Sequence, residues 1–162
     1  MVAVTGSRTA VLTLPTDTQI KVVREFNAPR HLVYKAWTTP ELIKRWWHAN
    51  RGKATIVEID LRAGGKWRWV MVTPDGMEVA FHGVYREVVP DERIVYTEVF
   101  EGAPDGEALN TMTLTEKDGR TTATMIMQFK NKADRDTVIA TGMEDGLQDA
   151  LDLLERVAIS LG

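Results

Sequence analysis

The sequence predicts an α+β domain in which a strongly curved antiparallel sheet of about seven strands wraps around a long C-terminal helix, with two short helices after the first strand. Three observations carry that expectation. An alternating apolar stretch over residues 19–26 is followed at once by two segments that carry Pro at their starts. Between residues 52 and 130, apolar alternation recurs in short runs separated by Gly, Pro and Asp. That pattern predicts six strands whose connections are too short for parallel crossovers. Beyond residue 130 the apolar period changes from two to three or four.

Each element follows from local chemistry. Ile20, Val22 and Phe26 share one face of the first strand and Lys21 and Glu25 the other, with Arg24 a polar exception on the apolar face. Asn27 is an N-cap candidate ahead of Pro29, and Leu32, Val33, Ala36 and Trp37 recur at helical spacing, which puts Trp37 in the core. Thr39-Pro40-Glu41 repeats the device before Leu42, Ile43, Trp46 and Trp47. Strands are expected over 55–61, 66–73, 77–89, 93–101, 108–116 and 120–130, with Lys117-Asp118-Gly119 a hairpin signal. Ile139, Met143, Leu147, Leu151, Leu154, Ala158 and Leu161 then define one helix of about 27 residues, roughly 40 Å long at 1.5 Å per residue.

Composition bounds the function. The 162 residues suit one domain over 19–162, with 1–18 an N-terminal arm that either extends the first strand or lies loose. With Cys 0 there is no disulfide, thiolate nucleophile or Cys-ligated metal. A net charge of −3 gives no basic excess for nucleic acid. The sequence shows no secretory leader and no run of 18 apolar residues, so a soluble, cytoplasmic protein without membrane insertion is expected. All five Trp fall between Trp37 and Trp69, and the only aromatic after Phe100 is Phe129. The first half needs large rings.

Four blocks resemble a known family. Phe26-Asn27-Ala28-Pro29 with Val33, Ala36-Trp37-Thr38-Thr39-Pro40-Glu41-Leu42 and Trp46-Trp47 resembles the opening of the heat-shock-protein-90 ATPase activator homologue family, within the START-like (SRPBCC) superfamily. Residues 58–65, 83–97 and the helix from Gly142 through Leu154 resemble its later signatures. The resemblance spans about residues 18–160 and implies the helix-grip fold of the birch-pollen allergen, with a pocket between sheet and long helix. It says little about function, because the superfamily includes carriers, cyclases, receptors and chaperone activators. Two departures stand out: His48-Ala49-Asn50 follows the double Trp where Gly-Pro is usual, and position 147, often Trp, is Leu.

Such pockets are mostly apolar and on the order of 300–1,000 Å³. Alternation nominates Trp67, Trp69 and Met71 on one strand face, Phe81 and Tyr85 on another, and Met125 and Met127 on a third, with Met143, Leu147 and Leu151 on the helix. Each is equally suited to core packing. Adjacent Trp46 and Trp47 diverge by about 100° on a helix, so one belongs at the pocket mouth or on the surface. Gly142 and Gly146 make a bare helical stripe where the sheet approaches closely or a ligand sits. His31, His48 and His82 have no metal-binding spacing, and His82 is expected to face solvent if Phe81 and Gly83 face inward. Neither a metal nor a cofactor is expected. Asp60 and Arg62 suit a salt bridge. Glu98, Glu144, Tyr85 and His48 are the candidates for proton transfer. The leading expectation is a monomeric or homodimeric binding protein for a small hydrophobic or aromatic molecule. A cyclase, dehydratase or hydrolase using the same pocket, and a chaperone ATPase activator, are the alternatives.

Overall fold

In the computed structural model, which describes residues 10–162, the chain runs β1 (Val11–Thr13), β2 (Gln19–Phe26), α1 (Arg30–Thr38), α2 (Pro40–Ile43), β3 (Lys53–Ile59), β4 (Lys66–Val72), β5 (Glu78–Val89), β6 (Arg93–Phe100), β7 (Ala108–Lys117), β8 (Arg120–Gln128), α3 (Lys132–Ala140) and α4 (Met143–Ser160). One sheet holds all eight strands in the order β1-β2-β8-β7-β6-β5-β4-β3, every neighbour antiparallel. The strand beyond the expected seven comes from the arm. Residues 11–13 fold back so that Val11 lies opposite Val23 and Thr13 opposite Lys21. Just before them, the Ala10 N–H donates to Gln148 Oε1 at 2.9 Å and Gln148 Nε2 donates to the Ala10 carbonyl at 2.7 Å, tying the arm to α4. The arm before residue 10 lies outside the described residues.

The inner face of the sheet closes on α1 and α4 around a core that includes Ile20, Val22, Phe26, Val33, Met112, Leu114, Leu151 and Leu154. The single long helix of the sequence reading is two helices. Gly142, at φ +78° in the left-handed region that favours glycine, separates α3 from α4. The i, i+4 spacing of Ile139 and Met143 runs unchanged across the break, so periodicity alone reads through it. The gripped helix is therefore 18 residues and roughly 27 Å long. A Cβ at Gly142 would meet nothing within 4 Å, and one at Gly146 would reach only the Arg51 guanidinium at 3.9 Å. The sheet does not approach the helix at either glycine.

The helix start also moves. Asn27 does not cap α1, which begins at Arg30 with Pro29 in the capping position. The Asn27 N–H is taken instead by Glu155 Oε2 at 2.9 Å, and the Arg30 N–H by Glu116 Oε1 at 2.7 Å, so side chains from distant elements satisfy the helix entrance.

Arg24 lies fully buried on the inner face of β2. Its Nη1 donates to Asp152 at 2.7 Å, its Nη2 to Glu155 at 3.3 Å and its Nε to the Glu25 carbonyl at 3.1 Å. The guanidinium also lies 5.1 Å from the Phe26 ring centroid. What reads in sequence as a flaw in the alternation is the bond between strand and helix.

On the outer face, Glu101 accepts from Arg68 Nε at 2.9 Å and Nη2 at 3.0 Å and pairs with His82 Nδ1 at 2.9 Å, so His82 does face outward. These partners hold the Glu101 carboxyl down to about 2. Asp60 and Arg62 pair at 2.9 Å as expected, though in the turn beyond β3.

Candidate functional site: an aromatic cavity between sheet and helix

Between the inner face of the sheet and α4 lies a cavity of about 180 Å³. Strand register lays out its floor in rows. Tyr85, Tyr96, Asn110 and Met127 stand opposite one another on β5, β6, β7 and β8. A second row joins Ile94, Met112, Met125 and Val22 across β6, β7, β8 and β2. Two residues along β6 from Tyr96, Glu98 faces the same way, opposite Ala108, whose small side chain leaves it space. From α4 come Met143, Leu147 and Leu151, one above the other at i, i+4 spacing.

The remaining wall is aromatic. Trp37, Trp46, Trp47, Trp67 and Trp69 all line the cavity. They pack edge to face: Trp37 and Trp46 have centroids 5.8 Å apart, Trp46 and Trp69 6.0 Å, Trp47 and Trp69 5.5 Å, and Trp67 and Trp69 5.5 Å. The adjacent pair divides between core and surface, but in the turns after α2 and not on the helix expected to carry it, because α2 ends at Ile43. Trp46 is buried and its indole N–H donates to the Ala36 carbonyl at 2.9 Å, while Trp47 stays partly exposed. So many rings also shrink the space below the 300–1,000 Å³ expected of this kind of pocket. About 180 Å³ suits one ring, given that cavities near 150 Å³ admit benzene.

Polarity is confined to a few groups. Asn110 Nδ2 donates to Glu98 Oε1 at 3.1 Å. Burial pushes the Glu98 carboxyl above its ordinary range, with the Asn110 bond opposing. Burial likewise pushes up the Tyr85 and Tyr96 phenols, the negative Glu98 adding to the effect at Tyr96. Asn110 Oδ1 and Trp69 Nε1 are buried with no hydrogen-bond partner among the described residues. A protein seldom leaves such groups bare, since each costs about 1–3 kcal/mol.

The sequence profile of the family described as Activator of Hsp90 ATPase homolog 1-like protein matches residues 27–158. The chain belongs to that family. Its START-like fold is shared with solved structures of proteins from Rhodobacter sphaeroides (24% identity, TM-score 0.87, covering 93% of this chain and 99% of that one), Nitrosomonas europaea (22%, 0.82, 91% and 98%) and Mycobacterium smegmatis (24%, 0.81, 91% and 95%). At these identities the likeness is one of fold. No curated protein matches the chain.

In this member of the Activator of Hsp90 ATPase homolog 1-like family, the structure brings together at the cavity Trp46, Trp47, Trp67, Trp69 and Tyr85 from the sequence reading. Met125, Met127, Met143, Leu147 and Leu151 join them there. Met71 and Phe81 are not in the lining. Met71 lies at the far end of β4, where its Cγ sits 3.0 Å from the place a Gly52 Cβ would occupy. Phe81 turns to the rim, 6.0 Å from Trp47 and 5.2 Å from the exposed Phe100. Alternation names a face but not how far along the strand the cavity extends. Among the proton-transfer candidates, Glu98 and Tyr85 line the cavity. Glu144 is exposed in the first turn of α4, and His48 borders an open depression with Lys53 and Thr73. Sequence reasoning missed Tyr96, Asn110 and Met112; the hairpin register, once assigned, places all three beside residues already nominated. No helix among the described residues is long and apolar enough to cross a membrane. Nor do the described residues hold a cluster of His, Cys, Asp and Glu fit for a metal ion.

Proposed function

We propose that this protein binds a small hydrophobic or aromatic molecule, about the size of one ring, in the cavity between the sheet and α4. The observation that carries the reading is a cavity of about 180 Å³ walled by five Trp, two Tyr and four Met. Indole rings and unbranched thioethers make an adaptable apolar wall, the type of surface that accepts planar ligands. Leu147 is the point of control, because α4 there presents a modest side chain to the space. Tryptophan fluorescence titrations with single-ring aromatics test this. The wild-type emission should shift on binding, and Leu147→Trp, by filling the cavity, should weaken affinity by roughly tenfold or more. An affinity in Leu147→Trp equal to wild type would place the ligand elsewhere.

Proton-transfer catalysis in the same cavity is the second reading, favoured by the enclosed carboxyl of Glu98. Under it, Glu98 is the acid-base group and the phenols of Tyr85 and Tyr96, kept neutral by burial, orient the substrate.

A further inference from the structure

We infer that the cavity selects a small organic cation, an amine carried on a single ring, with its ammonium group set against Glu98. This rests on the ligand-binding reading above and names the chemistry of its ligand. Glu98 is the only residue with a charged side chain in the cavity lining, which holds no Lys, Arg or His among the described residues. Among the described residues, no element lining the cavity offers it a counterion. Its own strand presents Tyr96 and Ile94, β5 presents Tyr85 and β7 presents Asn110, Thr111 and Met112, while β8 and α4 contribute only apolar residues to the lining. Among the described residues the carboxyl has one hydrogen bond, from Asn110 Nδ2, and it shares the cavity chiefly with rings and thioethers.

Three ligand classes separate on this wall. An anion would be brought beside a carboxylate in a water-poor space with no cation to receive it, so carboxylic acids are rejected. A neutral hydrocarbon fills the volume but leaves Glu98 stripped of water and nearly unbonded. An ammonium group brings opposite charge and several N–H donors to an end of the cavity that is rich in acceptors, Glu98 and the unpartnered Asn110 Oδ1 among them. Aromatic faces add a further attraction for cations, and the wall is built chiefly of Trp and Tyr.

The same arrangement makes Glu98 costly to the empty protein. Because burial raises the folded carboxyl above its ordinary 4.5, ionising it opposes folding. The penalty is absent below about 4.5, where the group is protonated in both states, grows as pH rises from there, and is complete once pH has passed the folded value. Glu98→Gln should therefore melt at or above the wild-type temperature at pH 7, and the two should converge in acid. A residue kept for structure would behave oppositely.

Calorimetric titration at pH 7 with benzylamine, benzyl alcohol and benzoate, in wild type and in Glu98→Gln, tests the assignment. Wild type should bind benzylammonium roughly tenfold or more tighter than benzyl alcohol, with benzoate weakest. Glu98→Gln should weaken benzylammonium by roughly ten- to a hundredfold, the range for a hydrogen-bonded charge, and leave benzyl alcohol within about threefold. Below the folded carboxyl value, benzylammonium binding to wild type should also release a proton, seen as a dependence of the binding heat on buffer ionisation, while benzyl alcohol releases none. That readout needs no variant. Benzyl alcohol or benzoate binding as tightly as benzylammonium would overturn the cation assignment and leave the ligand cavity standing. Failure of all three to bind would overturn both.

Discussion

Gly83→Ala is expected to cost about 2–3 kcal/mol, the upper part of the range for overpacking, and to lower the melting temperature by roughly 5–10 °C. A Cβ at Gly83 would stand 1.8 Å from the Thr97 carbonyl oxygen and 2.6 Å from Trp67 Nε1. The first neighbour is backbone of the adjacent strand β6 and cannot rotate away. The second belongs to an indole whose N–H donates to that same carbonyl at 3.1 Å. Accommodating one methyl group therefore means parting β5 from β6 or breaking the Trp67 bond. Either way the disturbance enters the cavity, because Trp67 packs edge to face with Trp69 at 5.5 Å and with Tyr96 at 5.8 Å. Thermal melts of Gly83→Ala and of Gly106→Ala, where the nearest atom is 3.6 Å away, provide the comparison. A Gly83→Ala melt matching that of Gly106→Ala would contradict the close packing of β5 on β6.

Arg24→Ala should be more damaging, by about 3–5 kcal/mol, through a different mechanism. Truncation removes the cation that faces Asp152 and Glu155, and Glu155 is itself only 3% exposed. Asp152, with its side chain 48% exposed, can turn to water, so most of the loss is expected from breaking the buried contact between Arg24 and Glu155. Neutralising both partners should recover much of it. Arg24→Met with Glu155→Gln removes both charges while keeping an acceptor for the Asn27 N–H, which Glu155 Oε2 now holds at 2.9 Å. Urea unfolding of the single and double variants checks this. A double variant as unstable as Arg24→Ala alone would mean that the cost lies in the lost packing over Phe26 rather than in the broken Arg24–Glu155 ion pair.

Arg24 and Gly142 mark the limits of what is legible in the sequence. Apart from β1, the strands were readable to within about two residues at their ends, because most have two-residue alternation and end at a turn rich in Gly, Pro or Asp, as at Asp118-Gly119. Arg24 shows where alternation fails: a charged residue on an apolar face signals an unseen partner, and Glu155, 131 residues later, cannot be found by local pattern. Gly142 shows the opposite error, in which an uninterrupted apolar period concealed a backbone break. At the candidate site, the nominated rings and thioethers on β4, β8 and α4 were legible as a face. Its length was not, so Met71 and Phe81 were included although they lie beyond the cavity. The polar end remained ambiguous for a related reason. Glu98 shares its face with Tyr96, and only the pairing of β6 with β7 brings Asn110 to its carboxyl and turns that face inward.

The cavity as a ligand site is tested most directly by a crystal structure of the protein soaked with iodobenzene, a single ring with a heavy-atom label. One dominant iodine peak is expected inside the sheet, bounded by Trp69, Met127 and Leu147, with the backbone of β5 and β6 unmoved. Iodine found only on the outer surface, or a space closed over by the indoles with no iodine in it, would contradict it.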